Sequence, residues 1–215
     1  MEIKELKYLK SMVVATQSYK GRKLEADRKL RQALEASKDY NVTIKEANTQ
    51  KALEIHRKDL ERNKELFKDS MMSFEIVIRE YIGSKFTMDL TETDLATLDN
   101  LSKIKLSPSE IKLQFEKYKH NPLLLRRLEE ICNEKDWFTG EHGKLVKEFS
   151  LNFLDFDYYI NKLEEFVRTC ENTVREYDSI DPYIELNEFQ KIAISIHENV
   201  LENDFNDITE TLSSI

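Results

Sequence analysis

Residues 149–177 read FSLNFLDFDYYINKLEEFVRTCENTVREY, and within them Phe149, Phe153, Phe156, Ile160, Leu163, Val167, Cys170, Val174 and Tyr177 follow an unbroken 4-3-4-3 spacing. Apolar residues that alternate by four and three fall along one line of an α-helix, the seam through which coiled-coil helices pack. After Tyr177, the run Ser179-Ile180-Asp181-Pro182 interrupts the helix, because the residue before a proline is pushed out of helical geometry. Leu186, Phe189, Ala193, Ile196 and Val200 then resume the spacing. A helix, a short turn and a helix with a matching seam predict an antiparallel αα-hairpin.

Composition extends this helical reading to the whole chain. Of 215 residues, 34% are charged and 40% hydrophobic, with only 4 Gly and 3 Pro, where average usage would give roughly 15 Gly and about 10 Pro. Sheet-rich folds need frequent tight reversals built on such residues, so their scarcity predicts an all-α chain with few turns. From Arg22 to Ile82 there is neither Gly nor Pro, and good helix formers predominate. The expected break is Asp39-Tyr40-Asn41-Val42-Thr43, where short polar side chains that compete for backbone hydrogen bonds meet β-branched ones. Gly21 is the expected end of an opening helix at 3–19. Leu53, Leu60, Phe67, Phe74 and Tyr81 recur every seven residues, a thin coiled-coil-like stripe that widens from Met71 onward.

The middle of the chain is punctuated by caps. Ser107-Pro108-Ser109-Glu110 reads as an N-cap serine, a proline at the first helical position and a glutamate closing a capping box. Asn121-Pro122 repeats the cap-plus-proline signal, and Thr91 with Asp94 marks a third start. The organisation expected is therefore 1–83, long charged coiled-coil-like helices; 84–140, a short-helix subdomain; and 141–215, an acidic helical hairpin.

Charge is distributed unevenly along this frame. The net charge is −8, yet residues 1–68 carry 17 Lys/Arg against 11 Asp/Glu, whereas residues 145–215 carry 5 against 16. A basic patch of Arg22, Lys23, Arg28, Lys29 and Arg31 is the candidate contact for an acidic partner, nucleic acid included. Aromatic interleaving is missing there, which weakens the case for single-strand stacking. The same polarity lets the two ends of the chain, or two copies, attract each other.

Catalytic constellations are not apparent. His56, His120, His142 and His197 are scattered without metal-ligand spacing, and phosphate-cradling glycine loops and nucleophile elbows are missing. No metal site and no cofactor is expected. Thr139-Gly140-Glu141-His142-Gly143-Lys144 fits no phosphate motif and reads as a turn. Cys132 and Cys170 are too few for a disulfide framework, which fits a reducing, cytoplasmic setting. No apolar run is long enough to span a bilayer, so no membrane association is expected.

The charged helix RKLEADRKLRQALEASKD followed by LSPSEIKLQFEKYKHNPLLLRRLEEICNEKDW resembles helical proteins of unassigned role encoded near the capsid and head genes of tailed phages and prophages of Gram-positive bacteria. The resemblance covers about residues 20–137 and rests on KYKHNPLLLRRLEEI and the helix before it. It implies a non-catalytic structural or assembly role, scaffolding-like or as a minor virion protein, in the host cytoplasm or the virion. The partner is then a protein, in the first place another copy of the chain, giving a homo-oligomer joined through the 149–177 and 186–200 seams that touches a second protein through its ends. The alternative of a different class is a phage-encoded binder of a host protein or nucleoprotein, whose acidic C-terminal face mimics nucleic-acid charge.

Overall fold

The computed structural model describes residues 4–86, 89–137 and 156–214. Among them are seven α-helices and no strand: α1 (Lys7–Ala36), α2 (Val42–Lys85), α3 (Glu92–Leu101), α4 (Pro108–Tyr118), α5 (Pro122–Glu134), α6 (Phe156–Asp178) and α7 (Glu188–Ser213). The chain is all-α, as its lack of turn formers predicts. It divides into two compact units, one of residues 1–79 and 162–214, the other of residues 80–161. The first and last thirds of the chain thus share one unit, where the sequence suggested separate regions bounded at 83 and 140. Sequence periodicity marks helices and their ends, but the assignment of helices to a common core depends on contacts distant in sequence.

The first unit is a four-helix bundle whose helix directions can be read from paired side chains. Residues Asp27, Tyr19 and Tyr8 of α1 meet His56, Phe67 and Phe74 of α2, so these helices are antiparallel. Lys64 and Arg79 of α2 meet Asp178 and Glu164 of α6, again antiparallel. Lys162, Thr169 and Tyr177 of α6 bond Asp207, Asp204 and Glu198 of α7. The last three pairs establish the antiparallel C-terminal hairpin. The order is up, down, up, down, a topology in which every helix has antiparallel neighbours. Its interior includes Leu9, Met12, Tyr19, Leu30, Phe67, Met71, Leu163, Phe166, Cys170, Tyr177, Ile194, Leu201 and Ile208.

α1 runs through Gly21 without interruption, where the sequence suggested a boundary. Glycine lacks side-chain packing and loses more backbone freedom than other residues, but the flanking apolar face from Leu9 to Leu30 holds the helix together. The break near Asp39 does form: α1 ends at Ala36, α2 begins at Val42, and Asn41 Oδ1 accepts from Ile44 N at 3.1 Å.

In the second unit α3, α4 and α5 surround Leu98, Leu101, Ile111, Phe115, Tyr118, Leu124, Leu125, Leu128, Ile131 and Cys132, with Leu106 and Trp137 packed on the edge. All three helix starts read from the sequence are capped. Thr91 accepts from Asp94 N, Ser107 and Glu110 form the reciprocal capping box, and Asn121 accepts from Leu124 N. Each cap satisfies a backbone N–H that the first helical turn leaves unpaired. The Asn121 amide also donates to Asp89 O at 2.8 Å, tying the start of α5 to the segment before α3.

A Cβ built on Gly21 meets nothing within 4 Å. Gly21→Ala is therefore expected to stabilise the protein by about 0.5–1 kcal/mol. Urea denaturation followed by circular dichroism measures this, and a lower midpoint would mean that α1 needs a glycine there for another reason.

Candidate interaction surface

Lys23 and Asp27 stand one turn apart on α1, at 2% and 1% side-chain exposure. Burying two charges is tolerable only when their hydrogen-bonding capacity is filled. Here Lys23 Nζ donates to Asp27 Oδ2 at 2.6 Å and to the carbonyl of Ile180 at 2.8 Å. The other oxygen, Asp27 Oδ1, lies 2.8 Å from His56 Nε2 on α2. Three separate parts of the chain, α1, α2 and the turn after α6, thus meet at one buried ion pair. Arg31, two turns further along α1, donates to the carbonyls of Pro182 at 3.0 Å and Ile184 at 3.2 Å. Above Lys23, Tyr19 donates to Asp178 Oδ1 at 2.5 Å, and its burial and this carboxylate partner both push the phenol's pKa well up.

The basic patch read from the sequence is divided by this arrangement. Lys23 and Arg31 point to the 180–184 turn, and half-buried Arg22 has its Nε shut away from solvent. Arg28 is exposed and makes a two-pronged contact with Glu25, which Lys29 also approaches at 3.9 Å. These five side chains do not form one free positive face. Three ion pairs join α1 and α2 to the acidic C-terminal helices: Lys20–Glu198, Lys64–Asp178 and Arg79–Glu164.

His56 borders a groove of about 180 Å³ lined by Ala26, Lys29, Leu30, Ala33, Ala52, Ile55 and Asp59. An imidazole oriented by a carboxylate is a frequent base in nucleophilic catalysis, but it requires a nucleophile within hydrogen-bond reach. No Ser, Thr or Cys lines this groove. Among the described residues no group of three or more His, Cys, Asp or Glu is placed to hold a metal ion. No described helix is long and apolar enough to cross a membrane.

Cys170 and Cys132 lie at 0% exposure in their respective cores. Burial pushes both thiols up to about 12. The thiolate is the reactive species, so neither cysteine is equipped for nucleophilic work near neutral pH.

Along α6 the predicted seam is partly internal. Leu163, Cys170, Val174 and Tyr177 are buried, and Phe156, Ile160 and Val167 are half-buried; Phe149 and Phe153 lie outside the described residues. Also buried, and missed by the spacing, are Tyr159, Phe166 and Thr173. α6 serves more than one neighbour, so its buried face is wider than a two-stranded seam and includes a parallel line one residue earlier. The turn at 139–144 lies outside the described residues as well.

The largest departure from the seam reading is on α7. Its buried side chains are Ile194, Leu201, Ile208 and Leu212. Phe189, Ile192, Ile196 and Val200 are instead 84%, 56%, 56% and 45% exposed. At 3.6 residues per turn these four form one continuous stripe, centred roughly 140° around the helix from the buried line. Isolated apolar side chains on a surface are ordinary, whereas a contiguous stripe with a protruding phenylalanine is a feature of contact surfaces. On the other side of α7, between it and α1, runs an open groove of about 640 Å³ lined by Lys10, Val13, Val14, Gln17, Lys20, Ser195, Glu198, Asn199, Leu201, Glu202 and Phe205.

Compared with protein-family models, curated proteins and solved structures, the chain matches none.

Two outcomes check the internal chemistry. Asp27→Ala, which leaves the Lys23 ammonium buried without its carboxylate, is expected to lose about 3–5 kcal/mol of stability in urea titration, and the paired replacement Lys23→Met with Asp27→Leu to recover most of it. A thiol-specific reagent at pH 8 is expected to label neither cysteine in the native protein within minutes and both in denaturant; rapid labelling of the native protein would show that the cores open readily.

Proposed function

We propose that the chain is a non-catalytic structural or assembly protein of a tailed phage or prophage, acting through helix–helix contact and associating with itself. The phage setting rests on the resemblance of residues 20–137. Self-association rests on the α7 stripe, where Phe189 stands 84% exposed on a helix that already buries its opposite side. Binding energy at protein interfaces concentrates in such aromatic anchors. The acidic-mimic reading is less favoured because several C-terminal carboxylates have partners within the chain. Asp178 meets Tyr19 and Lys64, Glu198 meets Lys20 and Tyr177, Asp204 meets Thr169, and Asp207 meets Lys162.

Light scattering coupled to size exclusion, run over a concentration series, tests the proposal. A defined oligomer, or a mass that rises with concentration, is the expected result. A mass that stays at the 25.5 kDa of one chain across the series would overturn self-association.

A further inference from the structure

We infer that the groove between α1 and α7 receives an amphipathic α-helix of a second protein, one that carries an acidic side chain on the flank facing α1 and a basic one on the flank facing α7. Such a contact goes beyond self-association and is independent of it.

The walls decide the class of occupant. From Lys10 to Lys20 the α1 wall is ten residues long, so the groove runs about 15 Å. Its floor is buried Leu201 with half-buried Val13 and Phe205, and Val14 stands exposed at its edge. Both walls are helix interiors whose backbone N–H and C=O groups are spent on their own turns, so an extended peptide would find no backbone to pair with. A small molecule would be covered on one side, whereas small-molecule sites enclose most of their ligand. An α-helix brings its backbone already satisfied and needs only an apolar line. Over about 15 Å it offers three apolar side chains to the floor, at i, i+3 or i+4, and i+7.

Charge decides the flanks. Lys10 on the α1 wall and Glu202 on the α7 wall are exposed, and neither enters an ion pair among the described residues. Lys20 Nζ bonds Glu198 Oε1 at 2.8 Å across two antiparallel helices; from that level Lys10 lies ten residues on and Glu202 four. The two charges therefore stand about 9 Å apart along the groove and on opposite walls, too far to pair with each other. A helix laid between them strips water from both, which favours a carboxylate beside Lys10 and a cation beside Glu202. Gln17 and Asn199, one on each wall, make no side-chain hydrogen bond among the described residues and supply the polar rim of such a contact. The Phe189–Val200 stripe of another copy does not match this pattern. Lys191 is the sole Lys or Arg of α7 and lies roughly 145° around the helix from the stripe, so Glu202 would face no lysine or arginine.

Three designed helical peptides test this on the intact chain by fluorescence anisotropy. They share one apolar line and carry, six residues apart on opposite flanks, one acidic and one basic residue, two acidic residues, or two basic residues. The mixed peptide is expected to bind about fivefold tighter than either of the others, the effect of exchanging one exposed attraction for a repulsion. Glu202→Lys is expected to move the preference to the acidic peptide, and Lys10→Glu to the basic one, with helicity unchanged because both side chains are exposed. Val14→Glu, at a position 50% exposed, is expected to weaken all three. No binding of any peptide to the wild type, or a ranking that does not follow these exchanges, would overturn the inference. A Val14→Glu chain that loses an oligomeric mass shown by the wild type in light scattering would place a second copy in the groove and overturn it as well. A monomeric wild type that ranks the peptides as expected would support the inference while removing self-association.

Discussion

The Lys23–Asp27 ion pair sets the terms for the bundle. Two charges sealed inside an apolar interior demand partners, and they find them in His56 of α2 and the carbonyl of Ile180 after α6. Desolvation makes an incomplete version of this cluster costly, so the cluster discriminates against misaligned packings of the same helices. Sliding α2 along α1 by one turn would leave Asp27 Oδ1 without His56. Moving the turn after α6 would leave an ammonium donor unfilled. An apolar core of similar volume would tolerate more registers.

That constraint also gives the charge asymmetry a physical use. The basic N-terminal helices and the acidic C-terminal ones belong to one unit, and their attraction supplements the apolar contacts that join segments distant in the chain. Lys20, Lys64 and Arg79 pair with Glu198, Asp178 and Glu164, while Lys23 and Arg31 donate to backbone carbonyls of the 180–184 turn. Exposed pairs of this kind contribute little each. Their value lies in register, since every one of them is consistent with the same up-down-up-down order.

α7 has two apolar lines, and the distinction between them matters for function. Ile194, Leu201 and Ile208 recur every seven residues, as do Phe189 with Ile196 and Ala193 with Val200. Both are legitimate coiled-coil spacings. Which one faces α1 and α6 depends on where each line continues: the first extends to Leu212 at the end of the helix, while the second runs into Asn203 and Asp207. Packing the longer line internally leaves the shorter one outside, where it becomes a surface available to a partner.

Composition and local pattern alone determined the all-α class, the interval between α1 and α2, the three capped starts at Thr91, Ser107 and Asn121, and the C-terminal hairpin. These are short-range properties, fixed by backbone hydrogen bonds and by apolar spacing within a single helix. Tertiary structure decided that α1, much of α2, α6 and α7 share one bundle, that Gly21 lies inside a helix, that Lys23 is core rather than surface, and that Phe189 faces outward. Each of those outcomes depends on residues far apart in sequence. A lysine four residues before an aspartate reads as an ordinary solvated pair, and becomes a buried anchor only when another helix supplies a histidine and a distant turn supplies a carbonyl.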